Sequence, residues 1–496
     1  MYLPSPPQSK VFILSLILWV MTLQVQSQNG NYLFDDTLLH KIEFFGADIY
    51  QFRNLSFKGI YQPVEIRIDG NVIKQVGLTT KGEKSWLAAP NDKKPFKIKT
   101  DQYIPGQKYD GTKRFNLHNN TYDRGIMREK LTSEASLALG IPAPRSAFAE
   151  VFINGDYWGI YTIVEAQNEI YKRSFGNNNG YTMESFGGEN NLQTLMYYGD
   201  HPHDYKGHYI VDHGNDSTAW SLWIDLLHKI HSFPPRFHYV DSISKYIDYQ
   251  SYFQFNAVLD YNLNAESKDR NGIFYYEPNV KKWITICWDQ NVAFADFTDP
   301  NQHLFPNTKC TAFLDKYFTY TAFQEVYDNT LCQLVHTVFV DSVLNSKVMT
   351  YRKIIDQAVE RDLRKGFTFQ QYEQSLLDLR NFIATRNQFT LQFLKDKNYS
   401  CTTTGLNSQL QDHTIEIYPI PANNILHVRT PGKQDLDYSI HNLQGAVVLN
   451  DKLSNARICI STLPPGVYVL KIFQDKKQIT VRKFIKQCIS FTQKGY

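Results

Sequence analysis

The sequence predicts an α+β protein in two folded parts, a large bilobal domain followed by a small all-β sandwich. Three observations carry this expectation. The stretch after residue 30 reads as strands carrying one helix, the stretch beyond Ser217 reads mainly as helices, and the stretch after residue 415 breaks into short alternating segments. A chain of 496 residues is also too long for one ordinary domain.

Residues 1–27 read as a signal peptide. Lys10 precedes the apolar run Val11 to Leu23, which is short for a bilayer span, and Val25 with Ser27 supplies the small residues of a cleavage site before Gln28. No later segment reaches the ~20 apolar residues of a transmembrane helix. No membrane anchor is therefore expected once the signal is removed.

The large domain is expected over 30–397. Val64 to Ile68, Gln75 to Thr80 and Pro95 to Thr100 alternate or run β-branched, and Asn154-Gly155 joins Ala147 to Ile153 with Tyr157 to Glu165 as a hairpin. Between these lies a helix. Asp123 can cap it, Ile126, Met127, Leu131, Ala135 and Leu137 recur at helical spacing, and Gly140 with Pro142 ends it. Beyond Ser217, helices are predicted over Ala219 to Ser232, Ile243 to Asn262, Thr321 to Leu344 and Tyr372 to Asp396, interrupted by a hairpin of Gly272 to Tyr276 with Trp283 to Trp288.

A linker is expected over 398–414, because Thr402 to His413 is polar and lacks apolar periodicity. The sandwich follows over 415–486. Its strands are Ile415 to Tyr418, Ile425 to Arg429, Asp437 to His441, Ala446 to Leu449, Arg457 to Ile460, Gly466 to Phe473 and Gln478 to Ile485. Residues 487–496 form a tail.

Composition excludes some partners. The formal charge of +3 gives no electrostatic footprint for nucleic acid or an anionic membrane. Aromatics reach 14%, which fills cores and sheet faces and leaves carbohydrate or partner contact as the other reading. The six cysteines lie where disulfides can form; Cys310 with Cys332 is the expected bridge, and Cys287, inside an apolar strand, is expected to be a buried free thiol.

Two clusters can carry chemistry. Asp289 directly follows the strand Trp283 to Cys287, with Asn291 two residues on, while Asn264, Glu266 and Asp269 precede the paired strand. The hairpin thus brings two sets of oxygen ligands to one end, a donor set suited to Mg²⁺ and phosphate oxygens. The second cluster is basic: the turn Lys81-Gly82-Glu83-Lys84-Ser85, then Lys94, Lys97 and Lys99 on a strand. Such carboxylates also serve as ordinary turn caps, and such lysines as a solvated face.

Two resemblances sharpen this reading. Tyr418-Pro419-Ile420-Pro421-Ala422-Asn423, Tyr438 to Gly445, Leu463 to Ile472 and Arg482 to Lys486 resemble, in order, the motifs of the type IX secretion sorting domain. Ile420 stands where that family has Asn. In the large domain, Val76 to Ser85, Lys94 to Lys99, Phe115 to Asn119 with Met127 to Leu131, and above all Val151 to Glu165 resemble the CotH (spore coat protein H) kinase-like family.

The second resemblance implies an atypical protein-kinase-like fold that uses ATP and Mg²⁺ to phosphorylate secreted or surface proteins. It assigns Glu266 to the acceptor hydroxyl, Asp289 and Asn291 to the metal, and Lys81, Lys97 or Arg128 to the phosphates. Three positions depart from the family pattern. Glu184 stands at a phosphate-facing Lys position, Glu266 replaces an Asp, and Asn291 replaces the second metal-binding acid. An active secreted kinase and a degenerate pseudokinase acting as a surface binding or adhesion protein both remain open. A glycan-processing enzyme using Asp269 and Asp289 is a third reading, without a paired-carboxylate motif behind it. The first resemblance implies handling by the type IX machinery and display at the cell surface.

Overall fold

The computed structural model describes residues 30–89, 92–186, 195–205, 207–232, 238–264, 270–304 and 312–401, then 416–418, 422, 424–429, 436–442, 447–453, 457–464, 466–474 and 477–486. The expected signal segment, the Thr-rich stretch 402–413 and the tail 487–496 lie outside them. The chain divides into two compact units, with the boundary between Tyr399 and Ser400.

The first unit opens with strands β1 (Leu39–Phe45), β2 (Gln62–Ile68), β3 (Asn71–Thr80), β4 (Phe96–Lys99), β5 (Arg114–His118), β6 (Ser146–Ile153) and β7 (Asp156–Glu165). They form a closed barrel in the order β1-β2-β3-β4-β5-β7-β6. Sequence alternation predicts open strands here; closure comes from the parallel pairing of β1 with β6, Leu39 opposite Phe148 through Phe44 opposite Ile153. Closing the sheet removes its exposed edges. Alternate residues such as Ile42, Phe44, Ile66, Ile68, Phe96, Ile98, Phe115 and Leu117 fill the interior. The β6–β7 turn is Asn154-Gly155, both at positive φ (52° and 91°), the backbone that a two-residue hairpin of this kind demands.

Helix α1 (Arg128–Ala138) lies between β5 and β6. The Asp123 carboxylate accepts the Arg128 N–H at its start (2.7 Å), and Gly140, at φ +80°, closes its end while Ile141 N–H donates to the Ser136 carbonyl (2.9 Å). After β7 come α2 (Gln167–Phe175), β8 (Tyr181–Phe186), β9 (Tyr209–His213), α3 (Asp216–Ser232), α4 (Tyr249–Asn262), β10 (Arg270–Glu277) and β11 (Lys282–Ile286). The expected hairpin is therefore half of a four-stranded sheet, ordered β11-β10-β8-β9.

Helices α5 (Thr321–Gln333), α6 (Asp341–Arg361) and α7 (Phe369–Asp396) complete the unit. Two expected helices are broken. The stretch Ile243 to Asn262 is interrupted because Ile247 forms a parallel bridge with Trp283 and Asp248 N–H donates to the Trp283 carbonyl. The stretch Thr321 to Leu344 widens into a π-turn at Leu334–Val338 and then extends at Val340 (ψ 139°) before α6 begins.

The second unit holds β12 (Glu416–Tyr418), β13 (Ile425–Arg429), β14 (Asp437–His441), β15 (Val447–Lys452), β16 (Arg457–Cys459), β17 (Gly466–Gln474) and β18 (Lys477–Lys486). They form two sheets, β12-β13-β16 and β15-β14-β17-β18, around one apolar core that includes Leu426, Val428, Ile440, Ile458, Leu470 and Phe484. Cys287 is free and buried, and burial pushes its thiol up to about 12. Cys459 is free and exposed, whereas Cys332 and Cys401 are each disulfide-bonded. Cys310, the expected partner of Cys332, lies outside the described residues.

Candidate functional site

Charged and polar side chains gather where the ends of β3, β4 and β5 approach the second sheet and the turn after β11. Lys81 follows β3, its N–H held by the Pro95 carbonyl (3.0 Å). Gly82 then turns the chain at φ +70°, where a Cβ would lie 2.4 Å from Ser85 Oγ. Lys81 is half-buried, and burial pushes its ammonium down while Asp289, Glu129 and Glu184 pull it up and Lys97 opposes them. Its Nζ lies 2.9 Å from His118 Nε2 at the end of β5, and 5.6 Å from the centre of the Trp288 ring. His118 Nδ1 lies in turn 2.7 Å from Glu129 Oε2, in the first turn of α1.

Asp289 follows β11 in a left-handed backbone conformation, φ 52°, uncommon for a residue with a side chain. A buried amide knot supports this strained turn. Asn264 Nδ2 donates to Gln290 Oε1 (3.1 Å) and to the Asp289 carbonyl (3.4 Å), Asn262 Nδ2 donates to the same Gln290 oxygen (3.3 Å), and Gln290 Nε2 donates to the Trp288 carbonyl (2.7 Å). The Asp289 carboxylate accepts from Asn271 Nδ2 (2.9 Å). Asn264 is fully buried, yet its Oδ1 has no hydrogen-bond partner among the described residues.

Glu184 sits on β8, opposite Ile273 of β10 and Ile210 of β9. Burial, then the charges of Asp212 and Asp289, push its carboxyl up to about 7, against the pull of Lys81 and Lys97. Lys97 is exposed on β4 and has no ion-pair partner among the described residues. Lys81, Lys97, Glu184 and Asp289 therefore share one electrostatic neighbourhood.

Arg128 and Lys94 lie elsewhere. Arg128 is buried with its Nε 3.9 Å from Asp123 Oδ1. Lys94 donates to the Trp86 carbonyl (2.8 Å) and packs over that indole. Asn291 is half-buried in the turn after Gln290. Glu266 and Asp269 fall outside the described residues. Sequence reasoning assigned no role to His118 and Glu129, because nothing in their eleven-residue separation signals a contact.

The donor set suits Mg²⁺, which takes one or two carboxylates and completes its shell with water and phosphate oxygens. Asp289 supplies the carboxylate, and the unpartnered Asn264 Oδ1 lies on a side chain already bonded to the Asp289 backbone. Among the described residues no cluster of three His, Cys, Asp or Glu side chains can hold a metal ion unaided. A ligand phosphate would have to complete the shell.

Comparison with known proteins identifies both parts of the chain. Residues 416–487 match the secretion system C-terminal sorting domain, which points to type IX export to the cell surface. No described helix is long and apolar enough to cross a membrane. The inner spore coat protein H of Bacillus subtilis (strain 168) is 20% identical over 293 residues, 56% of this chain and 78% of that protein. Residues 66–390 match the CotH kinase protein model, and on that match the chain belongs to the CotH kinase protein family.

Proposed function

We propose that the chain is an exported, surface-displayed kinase-like enzyme that binds ATP with Mg²⁺ and transfers the γ-phosphoryl group to secreted or surface proteins. In this reading the barrel half and the helical half act as two lobes around the nucleotide. The observation that carries it is the shared neighbourhood of Lys81, Lys97 and Asp289 beside an unpartnered amide oxygen, Asn264 Oδ1. Lys81 and Lys97 bind phosphate, Asp289 with Asn264 and Asn291 holds Mg²⁺, and Glu266 orients the acceptor hydroxyl. Bound Mg²⁺ supplies charge neutralisation on the phosphates.

One observation favours a second reading, a pseudokinase that binds without transfer. Glu184 adds a third carboxylate beside Asp212 and Asp289. A carboxylate where the family has a Lys exchanges an attraction for a repulsion, each ~4 kcal/mol at 4 Å and an effective dielectric of 20. Calorimetry and a phosphate-transfer assay on the full chain separate the readings. The parent is expected to bind ATP only with Mg²⁺, and Asp289→Ala to abolish binding. Binding without transfer to any protein acceptor selects the pseudokinase; ATP binding that survives Asp289→Ala removes Asp289 from the site.

Export is proposed to run in two stages, the signal peptide crossing the inner membrane and the terminal sandwich the outer one. A chain ending at His413, expressed in a host with the type IX machinery, is expected to accumulate in the periplasm. Equal arrival at the surface, measured by protease accessibility of whole cells, would contradict the role given to the sandwich.

A further inference from the structure

Lysines withdrawn from solvent find their counter-charges in two different ways in this protein, Lys93 and Lys130 buried and Lys81 half-buried. Lys93 meets a carboxylate directly, with its Nζ 2.7 Å from Asp362 Oδ2, and so does Lys130, 2.8 Å from Glu134 and 2.9 Å from Asp36. Each such contact neutralises the ammonium, which is why a buried lysine usually has one. Lys81 differs. No carboxylate lies within ion-pair distance of it among the described residues, and its hydrogen-bond partner is an imidazole nitrogen.

Donor chemistry fixes the direction of the chain of contacts. An ammonium can only donate, so His118 Nε2 accepts from Lys81, and the ring proton lies on Nδ1 and donates to Glu129. Glu129 is buried, and although burial pushes its carboxyl up, the His118 contact and the Lys81 charge outweigh that and hold it below the usual range. The helix N-terminus that carries it also favours a negative charge. The ring thus keeps the anion one imidazole away from the cation.

We propose that His118 is a positioning residue, its tautomer set by Glu129, that holds the Lys81 ammonium in place without neutralising it, so that its remaining protons meet a phosphate oxygen. The proposal rests on the phosphate-binding reading of this site. The Trp288 ring lies 5.6 Å from Lys81 Nζ, Asp289 and Glu184 attract the ammonium, and Lys97 on β4 repels it, so the charges of the proposed phosphate site act on Lys81 directly. Direct pairing of Lys81 with Glu129 would give a similar fold and lose that unspent charge.

Two readouts on the full chain test this: the labelling rate of Lys81 by a small acylating reagent, read by peptide mass spectrometry, and calorimetric binding of Mg²⁺ and ATP. Glu129→Gln removes the anion that fixes the ring proton on Nδ1 and whose charge supports the Lys81 ammonium through the ring. Lys81 is then expected to label about tenfold faster, equivalent to one unit in the amine's pKa, and ATP affinity to fall by a similar factor. His118→Phe should match it. His118→Gln, whose amide can still accept from Lys81 and donate to Glu129, should stay near the parent in both and guards against misfolding of the Phe variant. Parental labelling in Glu129→Gln, or a loss in His118→Gln as large as in His118→Phe, overturns the proposal. If the parent binds no ATP, the phosphate-binding reading falls, and the order of labelling rates still decides the role of His118.

Discussion

Gly159→Ala is expected to cost the first unit several kcal/mol, and in practice to leave it unfolded at physiological temperature. Gly159 lies in β7 at φ +107°, a conformation nearly closed to alanine, and an added Cβ would lie 2.2 Å from Asp362 Oδ2 and 2.3 Å from its Cγ. Asp362 cannot retreat cheaply. Its carboxylate, fully buried at the end of α6, holds Lys93 Nζ (2.7 Å) and accepts the N–H groups of Ile160 (3.0 Å) and Arg364 (2.8 Å). Separating a buried ion pair strands a charge and costs about 3–5 kcal/mol. Gly155→Ala is the control: it also has positive φ, +91°, but nothing lies within 4 Å of its Cβ, so only backbone strain of about 1 kcal/mol is expected. Melting followed by tryptophan fluorescence reads the first unit, since the chain has seven Trp residues and none lies beyond Trp288. Equal losses in the two variants would mean that the Asp362 contact does not hold the barrel to α6.

The same residues show what the sequence reveals and what it hides. Asn154-Gly155 is legible because few residue pairs accept two positive φ values, so the turn and both flanking strands follow from local chemistry. The Gly159–Asp362 contact is not legible, because it joins positions 203 residues apart that no periodicity relates. Barrel closure is hidden for the same reason: alternation shows which face of β1 is buried but not that β6 is its partner. The break before α4 is invisible because Tyr246 and Ile247 keep the run apolar while turning to pair with Trp283. In the candidate site, Asp289 is legible as an acid at a strand end, and the grouping of Lys81, Lys97 and Glu184 follows from motif order. The left-handed turn at Asp289, the amide knot beneath it and the His118 link depend on three-dimensional contacts, and the sequence carries no trace of them.

Glu184→Gln is expected to stabilise the protein at pH 8 and to leave it unchanged at pH 4. The sign follows from proton binding. The folded protein holds the Glu184 proton up to about pH 7, whereas an unfolded chain releases it near 4.5. Ionised Glu184 therefore costs nothing at low pH, and its penalty grows as pH rises from 4.5 to 7 and is complete above that. The full cost is on the order of 2 kcal/mol once screening of its exposed part is allowed for. Gln keeps the shape and never ionises, so the difference in melting temperature between variant and parent should open with rising pH across this window. Binding should follow the same charge: ATP affinity with Mg²⁺, relative to Glu184→Gln, should fall in the parent as pH rises through 7, and Glu184→Lys should bind more tightly than either. The groups acting on this site, Asp212, Asp289, Lys81 and Lys97, are the same in parent and Gln variant, so the difference isolates residue 184. A melting difference independent of pH would mean that Glu184 ionises normally. If Glu184→Lys weakened ATP binding instead, the carboxylate would be serving the ligand through its metal, and the second acid of the site would be Glu184 in place of the residue at 291.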